Sequence, residues 1–551
     1  MGFIIAGFVL AAFIAGNIAS KIMDKRRSYS QIIAGLDSPP DPKRFNEIES
    51  IAGFYLSTGG SNSGGIDEIT WNDLDMDDVF DRINTCQSSV GEEYLYALLH
   101  RGLGDSEELF RHGLELLGSD RELRISVCEK LKNLGSMNYN SVAETCFGKS
   151  LPTNGEANEE NEAVYKWLPF LPFAAAALGL FFGGIGAILG FIAGCITNMV
   201  VYYKNSFKYA AEKGMMKYFS DMLYCCKTLG EASDDPLIFQ LSEMFKPFER
   251  IAKKLAWINR LDGVQDSDIE AGFASYVKLV TFSDINSFFE VKRIAAENGE
   301  GLRQIYERIG LLDAVCAVLN YRGSCGTYCE PNFTDRKEIC FKGMVHPLIE
   351  NAVSNDFEMG ENILITGSNA SGKSSFVKAA AVNAVLAQSI LTCTAESFSL
   401  RRCRVVTSMA VRDDICAGDS YFVAEVKSMR RIVEAAQNEY CFCVIDEILK
   451  GTNTAERIAA SVSVLTVLAG TGSLCAAATH DIELTDIMAD KYRNIHFTER
   501  IEGSSVLFDY KVREGAARTR NAIKLMKING FPNEIIDMAE SLVRTEKSGA
   551  V

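Results

Sequence analysis

Charged and apolar positions divide this 551-residue chain into stretches of different texture. Gly2 to Ser20 carries no charge, and Lys21, Lys25, Arg26 and Arg27 follow it. An uncharged run of this length suits a single membrane crossing of about 20 residues. The cations lie after the run, not before it as in a cleavable signal peptide. That order predicts the N-terminus outside and the rest of the chain inside. The polar segment that follows ends in Ser57 to Gly65 (STGGSNSGG), a composition that predicts a flexible linker. From Ile66 to about Leu134 apolar residues recur at helical spacing. Glu156 to Glu162 is acidic and Asn-rich and reads as a solvated loop. Trp167 to Tyr203 then runs without a charge. This is too long for one helix and suits two tight ones turning at Gly183-Gly184. Lys166 lies before it and Lys204 and Lys208 after it, so both ends of such a hairpin face the cytoplasm. A buried pair of core helices is the alternative, and the uncharged length and flanking lysines favour the hairpin. Helical spacing resumes from Phe207 to about Leu319. From about Glu338 short apolar strands, glycine turns and helices alternate, which predicts an α/β domain. No repeat of fixed period is present.

The expected organisation is an N-terminal transmembrane anchor over 1–27 and a polar segment and linker over 28–65. A helical region over 66–166 and 204–340 follows, interrupted by a transmembrane hairpin over 167–203. The α/β domain spans 341–551. The fold class is therefore multidomain: an all-α region with transmembrane helices, then an α/β domain.

Three segments of the α/β region carry chemistry. Asn362 to Thr366 is β-prone and leads into Gly367-Ser368-Asn369-Ala370-Ser371-Gly372-Lys373-Ser374, and a helix-prone run begins at Ser375. Strand, G-x-x-x-x-G-K-S loop and helix form the context in which this motif cradles phosphates. Its glycines let backbone N–H groups turn inward, and the helix adds its positive end. Lys373 is expected to reach the β and γ phosphates of ATP, and the Ser374 hydroxyl to ligate Mg2+. Tyr440 to Ile445 is an apolar strand ending in Asp446-Glu447. A carboxylate there can hold Mg2+ through water, and Glu447 is placed to polarise the attacking water. Ala476 to Thr479 is a third strand-like run, and His480 at its end is expected to sense the γ-phosphate and that water.

Charge alters this picture. Lys and Arg total 56 against 72 Asp and Glu, a net of −16. No global basic footprint for nucleic acid exists, although a local patch remains compatible with DNA. The 16 cysteines are scattered, many in apolar runs, as expected of reduced cytosolic thiols. Cys325 and Cys329 with Cys340 beyond them resemble a metal knuckle, yet no second pair has zinc-site spacing.

The loop, the segment Asp446 to Thr454 and the segment Ala478 to Thr485 together resemble the ATPase domain of the MutS mismatch-repair family. His346-Pro347, the stretch from Asp413 to Glu425, and Lys511 to Ala517 followed by Gly530 to Ile536 resemble further motifs of that family, in order and spacing, from about 343 to 545. Thr70 to Asp78 and Ser88 to Leu95 resemble the start of its helical core, in particular that of a membrane-anchored bacterial branch. Residues 207–340 would supply the returning lever helices.

The resemblance implies that the α/β domain is a P-loop ATPase of the ABC type, in a homodimer with ATP sandwiched between two ATPase domains. Ser420 of one copy would contact the γ-phosphate bound by the other. Asn369 would assist phosphate binding, and Gly451 to Thr454 would lie at the dimer contact. Three positions depart from the pattern. Ala352 stands where an aromatic stacks on adenine, Tyr510 stands for a histidine and can still stack, and Asp419 replaces a basic residue. The resemblance leaves no room for a mismatch-reading domain or a nuclease-like extension, so wedge-type mismatch recognition is not expected. Two functions follow: a membrane-anchored ATPase acting on DNA, or a membrane-tethered dimerisation switch acting on a protein partner. A transporter or chromosome-maintenance ATPase is disfavoured by the missing LSGGQ-type signature and the lack of a long coiled-coil insertion.

Overall fold

The structure is a computed structural model. It describes residues 47–60, 65–138, 142–147, 164–206, 210–262, 281–368, 371–409, 421–449, 452–502, 505–517 and 530–547, with 523, 526 and parts of 20–36. The apolar run Gly2 to Ser20, apart from Ser20, and the acidic stretch Glu156 to Glu162 lie outside the described residues, as do residues 61–64 of the Ser57–Gly65 linker. The chain divides into two compact units: Met1–Ser63, Phe80–Leu98 and Leu103–Ser324 in one, and Gly64–Val79, Leu99–Gly102 and Cys325–Val551 in the other.

Among the described residues the first unit is helical. Its axis is the Gly299–Ser324 helix, which is buried on nearly every face from Leu302 to Tyr321. A helix apolar all round is a core helix, and polar groups on it need partners. Asp313 finds its partners at the N-terminus of the Ser89–Arg101 helix. Its carboxylate accepts from Ser88 N (2.9 Å), Ser88 Oγ (2.6 Å) and Gln87 N (2.9 Å). Gly91 permits this approach, because a Cβ there would lie 2.2 Å from Asp313 Oδ2. Burial nonetheless outweighs these bonds and pushes the Asp313 carboxyl up to about 7.

Two helices of this unit, Val164–Phe182 and Gly184–Lys204, are long and apolar enough to cross a membrane by length and composition. The turn falls at Gly183, whose φ of +84° favours glycine. Small residues let the two helices pack closely: a Cβ on Gly186 would lie 2.3 Å from Gly179 O, and one on Gly190 2.3 Å from Ala175 O. Asn198 Nδ2 donates to Leu168 O at 2.9 Å. The outer faces, including Phe181, Phe182 and Ile185, are exposed.

The second unit is α/β. Its strands are β1 (Asn332–Phe333), β2 (Ile339–Met344), β3 (Asn355–Met359), β4 (Ile363–Thr366), β5 (Ser397–Leu400), β6 (Arg404–Ser408), β7 (Cys441–Asp446), β8 (Leu474–Ala478), β9 (Arg493–His496), β10 (Glu499–Glu502), β11 (Ser505–Phe508) and β12 (Arg513–Glu514). A six-stranded sheet has the order β12-β9-β4-β8-β7-β6, parallel except for β12. Its inner strands read as unbroken apolar runs because helices cover both faces. A four-stranded sheet has the order β1-β5-β2-β3, and β10 and β11 form a hairpin. Phe341, Phe357, Phe376, Phe398 and Phe497 form one aromatic cluster joining the four-stranded sheet to the Lys373–Ile390 helix. In register, Ile365 and Asp446 both face Ala478, so β4, β7 and β8 end at one level. The loops that follow these three strands meet there.

The sequence division at residues 66 and 341 differs from this partition. Residues 64–79 and 99–102 group with the α/β unit because side chains tie them to β6. Asp73 Oδ2 accepts from Thr407 Oγ1 (2.7 Å) and Met409 N (2.9 Å), and Thr407 N donates to Thr70 Oγ1 (3.2 Å). Asp67 pairs with Arg431, and Trp71 stacks on His100 with centroids 3.6 Å apart.

Candidate active site

The phosphate loop departs from β4 through Gly367, at φ +143°, where a Cβ would lie 2.7 Å from Phe497 O. It enters the Lys373–Ile390 helix through Gly372, at φ +104°, where a Cβ would press to 3.0 Å from the Tyr510 ring. Both glycines are therefore required by backbone conformation and by close approach. Ser371 Oγ donates to Ser368 O at 2.7 Å and tightens the loop, and Ser368 Oγ donates to Glu499 Oε2 at 3.0 Å. Lys373 is the first helical residue and is buried. Its ammonium donates to the carbonyls of Gly367 and Ser368, spanning the loop. Asn369 and Ala370 lie outside the described residues.

Two more predicted residues meet at the helix start. Ser374 Oγ donates to Asp446 Oδ2 at 2.7 Å, so the two expected Mg2+ ligands are neighbours. Glu447 follows in the left-handed region at φ +63°, and its N–H donates to Ala478 O at 3.0 Å. Non-glycine residues rarely hold this conformation, and they concentrate at functional sites. The conformation turns the chain at the strand end, and Glu447 Oε1 stands 2.7 Å from His480 Nε2. The His480 turn is fixed by Thr479 N donating to Ile365 O and by Asp481, which takes a two-point contact from Arg457 (2.8 and 2.6 Å). A carboxylate beside a hydroxyl–carboxylate pair can hold a water and accept its proton next to a bound cation.

A cavity of about 420 Å3 opens beside the loop. Tyr510, Ala352, Ser375 and Phe376 line it, with His346 and Asn351. Tyr510 is half exposed, lies at φ +52° and stacks on Phe508 at 5.9 Å. Asn355 anchors it, donating from Nδ2 to Tyr510 O (3.0 Å) while its Oδ1 accepts from Val512 N (3.0 Å). His346 is buried, which pushes its imidazole down to about 4 and keeps it neutral. Its Nδ1 accepts from Leu348 N at 3.2 Å.

Of the sequence-derived residues, the structure brings Gly367, Ser368, Ser371, Gly372, Lys373, Ser374, Asp446, Glu447 and His480 to one edge of the sheet, with Ser375 and Tyr510 in the adjoining cavity. Ser420 and Gly451 lie outside the described residues. Sequence reasoning missed Glu499, Asn355 and Arg457. Only Arg457 left a signal, since it follows the Asn453 that caps the Thr454–Gly470 helix. Among the described residues no cluster of three or more His, Cys, Asp or Glu side chains is set to hold a metal, the Cys325, Cys329 and Cys340 set included.

Residues 363–546 match MutS domain V, an ATPase domain. Relatives include the DNA mismatch repair protein MutS of Thermus aquaticus, 30% identical over 262 residues, which are 47% of this chain and 32% of that protein. The DNA mismatch repair protein MutS of Thermotoga maritima is 31% identical over 267 residues, 45% of this chain and 33% of that protein. That of Natronomonas pharaonis is 30% identical over 267 residues, 46% and 31%. The chain thus spans about a third of the length of these curated relatives.

Proposed function

We propose that this chain is a membrane-anchored, MutS-like ATPase that binds and hydrolyses ATP at composite sites shared by two copies, and that couples this cycle to DNA binding. The observation that carries the reading is the convergence of Ser374, Asp446, Glu447 and His480 at the end of the parallel strands, with contacts of 2.7 Å in each pair. Lys373 and the loop N–H groups neutralise and orient the phosphates. Ser374 Oγ and Asp446 Oδ2 are two hard oxygens at one point, the donors that Mg2+ takes together with water and phosphate. When bound, Mg2+ supplies charge neutralisation for the phosphoryl oxygens. Glu447 orients water and accepts its proton, and His480 positions the Glu447 carboxylate. Tyr510 offers a face to the base. Ser420 of a second copy completes the site, and the contact runs through Gly451 to Thr454. The apolar helices Val164–Phe182 and Gly184–Lys204, with the uncharged N-terminal run of the sequence, support a reading in which the ATPase works at the cytoplasmic face of the cell membrane.

The DNA role rests on the mismatch-repair relatives. The net charge of −16 favours a second reading, an ATP-driven dimerisation switch that acts on a protein partner at the membrane. Binding of duplex DNA by the full chain in detergent, measured over a salt series, separates the two. Phosphate contacts give an affinity that falls steeply with salt. A chain that hydrolyses ATP and shows no binding at low salt is the switch.

A further inference from the structure

Asp446, Glu447 and Glu499 bring three carboxylates to the phosphate-loop edge of the sheet. Two of them serve the chemistry: Asp446 meets Ser374, and Glu447 meets His480. The third has no part in it. Glu499 is half-buried at the start of β10, and its Oε2 accepts from Ser368 Oγ at 3.0 Å. An anion there works against the task of the loop. The loop must receive phosphates that carry negative charge, and like charges in a poorly solvated site repel. The hydroxyl hydrogen that Ser368 could offer to a phosphate oxygen is also committed to this carboxylate.

The same hairpin reaches the neighbouring cavity. Glu499 is paired in register with Phe508 across β10 and β11, and Phe508 stacks on Tyr510 with centroids 5.9 Å apart. Tyr510 lines the cavity and lies against the last glycine of the loop, since a Cβ on Gly372 would come within 3.0 Å of its ring. One short hairpin thus holds the loop at Ser368 through a carboxylate and leads into the side chain that flanks Gly372. Ser368 is also where the loop is fastened to itself: its carbonyl accepts from Ser371 Oγ (2.7 Å) and from Lys373 Nζ (2.9 Å). A charged tether at this point responds to charge arriving in the loop.

We propose that Glu499 is a charge-operated latch on the nucleotide site: its carboxylate holds the β10–β11 hairpin on the phosphate loop through Ser368, and the negative charge of an arriving nucleoside di- or triphosphate expels it. Glu499 therefore weakens nucleotide binding, more for a triphosphate than for a diphosphate, and couples binding to release of the hairpin. It acts through Ser368 and is a positioning residue. The inference rests on the reading of this loop as a nucleotide site.

The test is calorimetric titration of the full chain in detergent with ADP and with a non-hydrolysable ATP analogue, each with Mg2+. Glu499→Gln keeps an oxygen that accepts from Ser368 and removes the charge, whereas Glu499→Asp keeps the charge. Glu499→Gln should bind ADP about threefold and the ATP analogue about tenfold more tightly than the unaltered chain, and the gain should shrink as salt is raised. Glu499→Asp should stay within about twofold of the unaltered chain. A second readout needs no variant: ADP should speed hydrogen exchange of the amides of residues 499–508 in the unaltered chain, and should not do so in Glu499→Gln. The latch is overturned by a Glu499→Gln chain that binds either nucleotide no more tightly, by a gain indifferent to salt, or by hairpin amides that ADP leaves equally protected in the unaltered chain. An unaltered chain that binds neither nucleotide overturns the nucleotide site itself, and the latch with it.

Discussion

Glu447→Gln isolates the chemical step from the fold. The substitution keeps the size of the side chain and the backbone bond from Glu447 N to Ala478 O, and glutamine meets the same left-handed strain at φ +63°. It removes the carboxylate that faces His480 Nε2 at 2.7 Å, and the Glu447 and His480 side chains are 24% and 38% exposed. At that exposure a Glu–His pair is worth about 0.2–1 kcal/mol, so the melting temperature should move little. Loss of the proton acceptor is larger. General-base catalysis contributes about 10²–10⁴ in rate, or roughly 3–5 kcal/mol of barrier. The variant should therefore bind ATP normally and hydrolyse it at least about a hundredfold more slowly in a single-turnover assay. Trapped ATP should also hold two copies together, seen as an ATP-dependent doubling of mass by light scattering. Turnover within a few-fold of the parent protein would remove Glu447 from the role of base, and His480 from the role of positioning it.

Three further outcomes are expected. Ser420→Ala and Lys373→Ala should each abolish turnover alone, and mixing them should restore one working site per dimer; no recovery refutes a site shared between copies. Tyr510→Ala should raise KM for ATP about tenfold with kcat nearly unchanged, because stacking is worth about 1–1.5 kcal/mol; an altered kcat with constant KM would point to loop distortion at Gly372 instead. Asp313 has a folded-state value near 7 against 3.8 as the ordinary value, so its contribution to stability is complete below about pH 4 and is lost as pH rises through about 7. Asp313→Asn should flatten the fall in melting temperature between about pH 4 and pH 7, and an unchanged profile would show that Asp313 is ionised throughout.

What the sequence made legible follows from how local each feature is. The phosphate loop must thread several N–H groups around one anion, so its residues are contiguous, and the strand before it and helix after it are visible in the same window. Asp446-Glu447 is readable because a five-residue apolar run from Cys441 points to where a strand ends. Val164–Phe182 and Gly184–Lys204 are readable from the missing charges. The unit to which Asp73 belongs is not readable. It is fixed by a hydrogen bond to Thr407, 334 residues away, and helical periodicity around Asp73 carries no trace of that partner. Glu499 and Asn355 are the same case, since Glu499 is picked out by its contact with Ser368 and Asn355 by its contacts with Tyr510 and Val512, all far away in sequence.

The contacts that Thr70 and Asp73 make to β6 have a consequence for solubility. β6 is the last strand of the six-stranded sheet, and the N–H groups of Thr407 and Met409 are taken by side chains, not by another strand. A sheet margin stoppered in this way cannot recruit a foreign β-strand, which is how natural proteins avoid growing into fibrils. A fragment beginning at Cys325 lacks the stopper. It keeps the whole nucleotide-binding sheet and bares an apolar margin ready for strand addition, so it should precipitate where the longer chain does not.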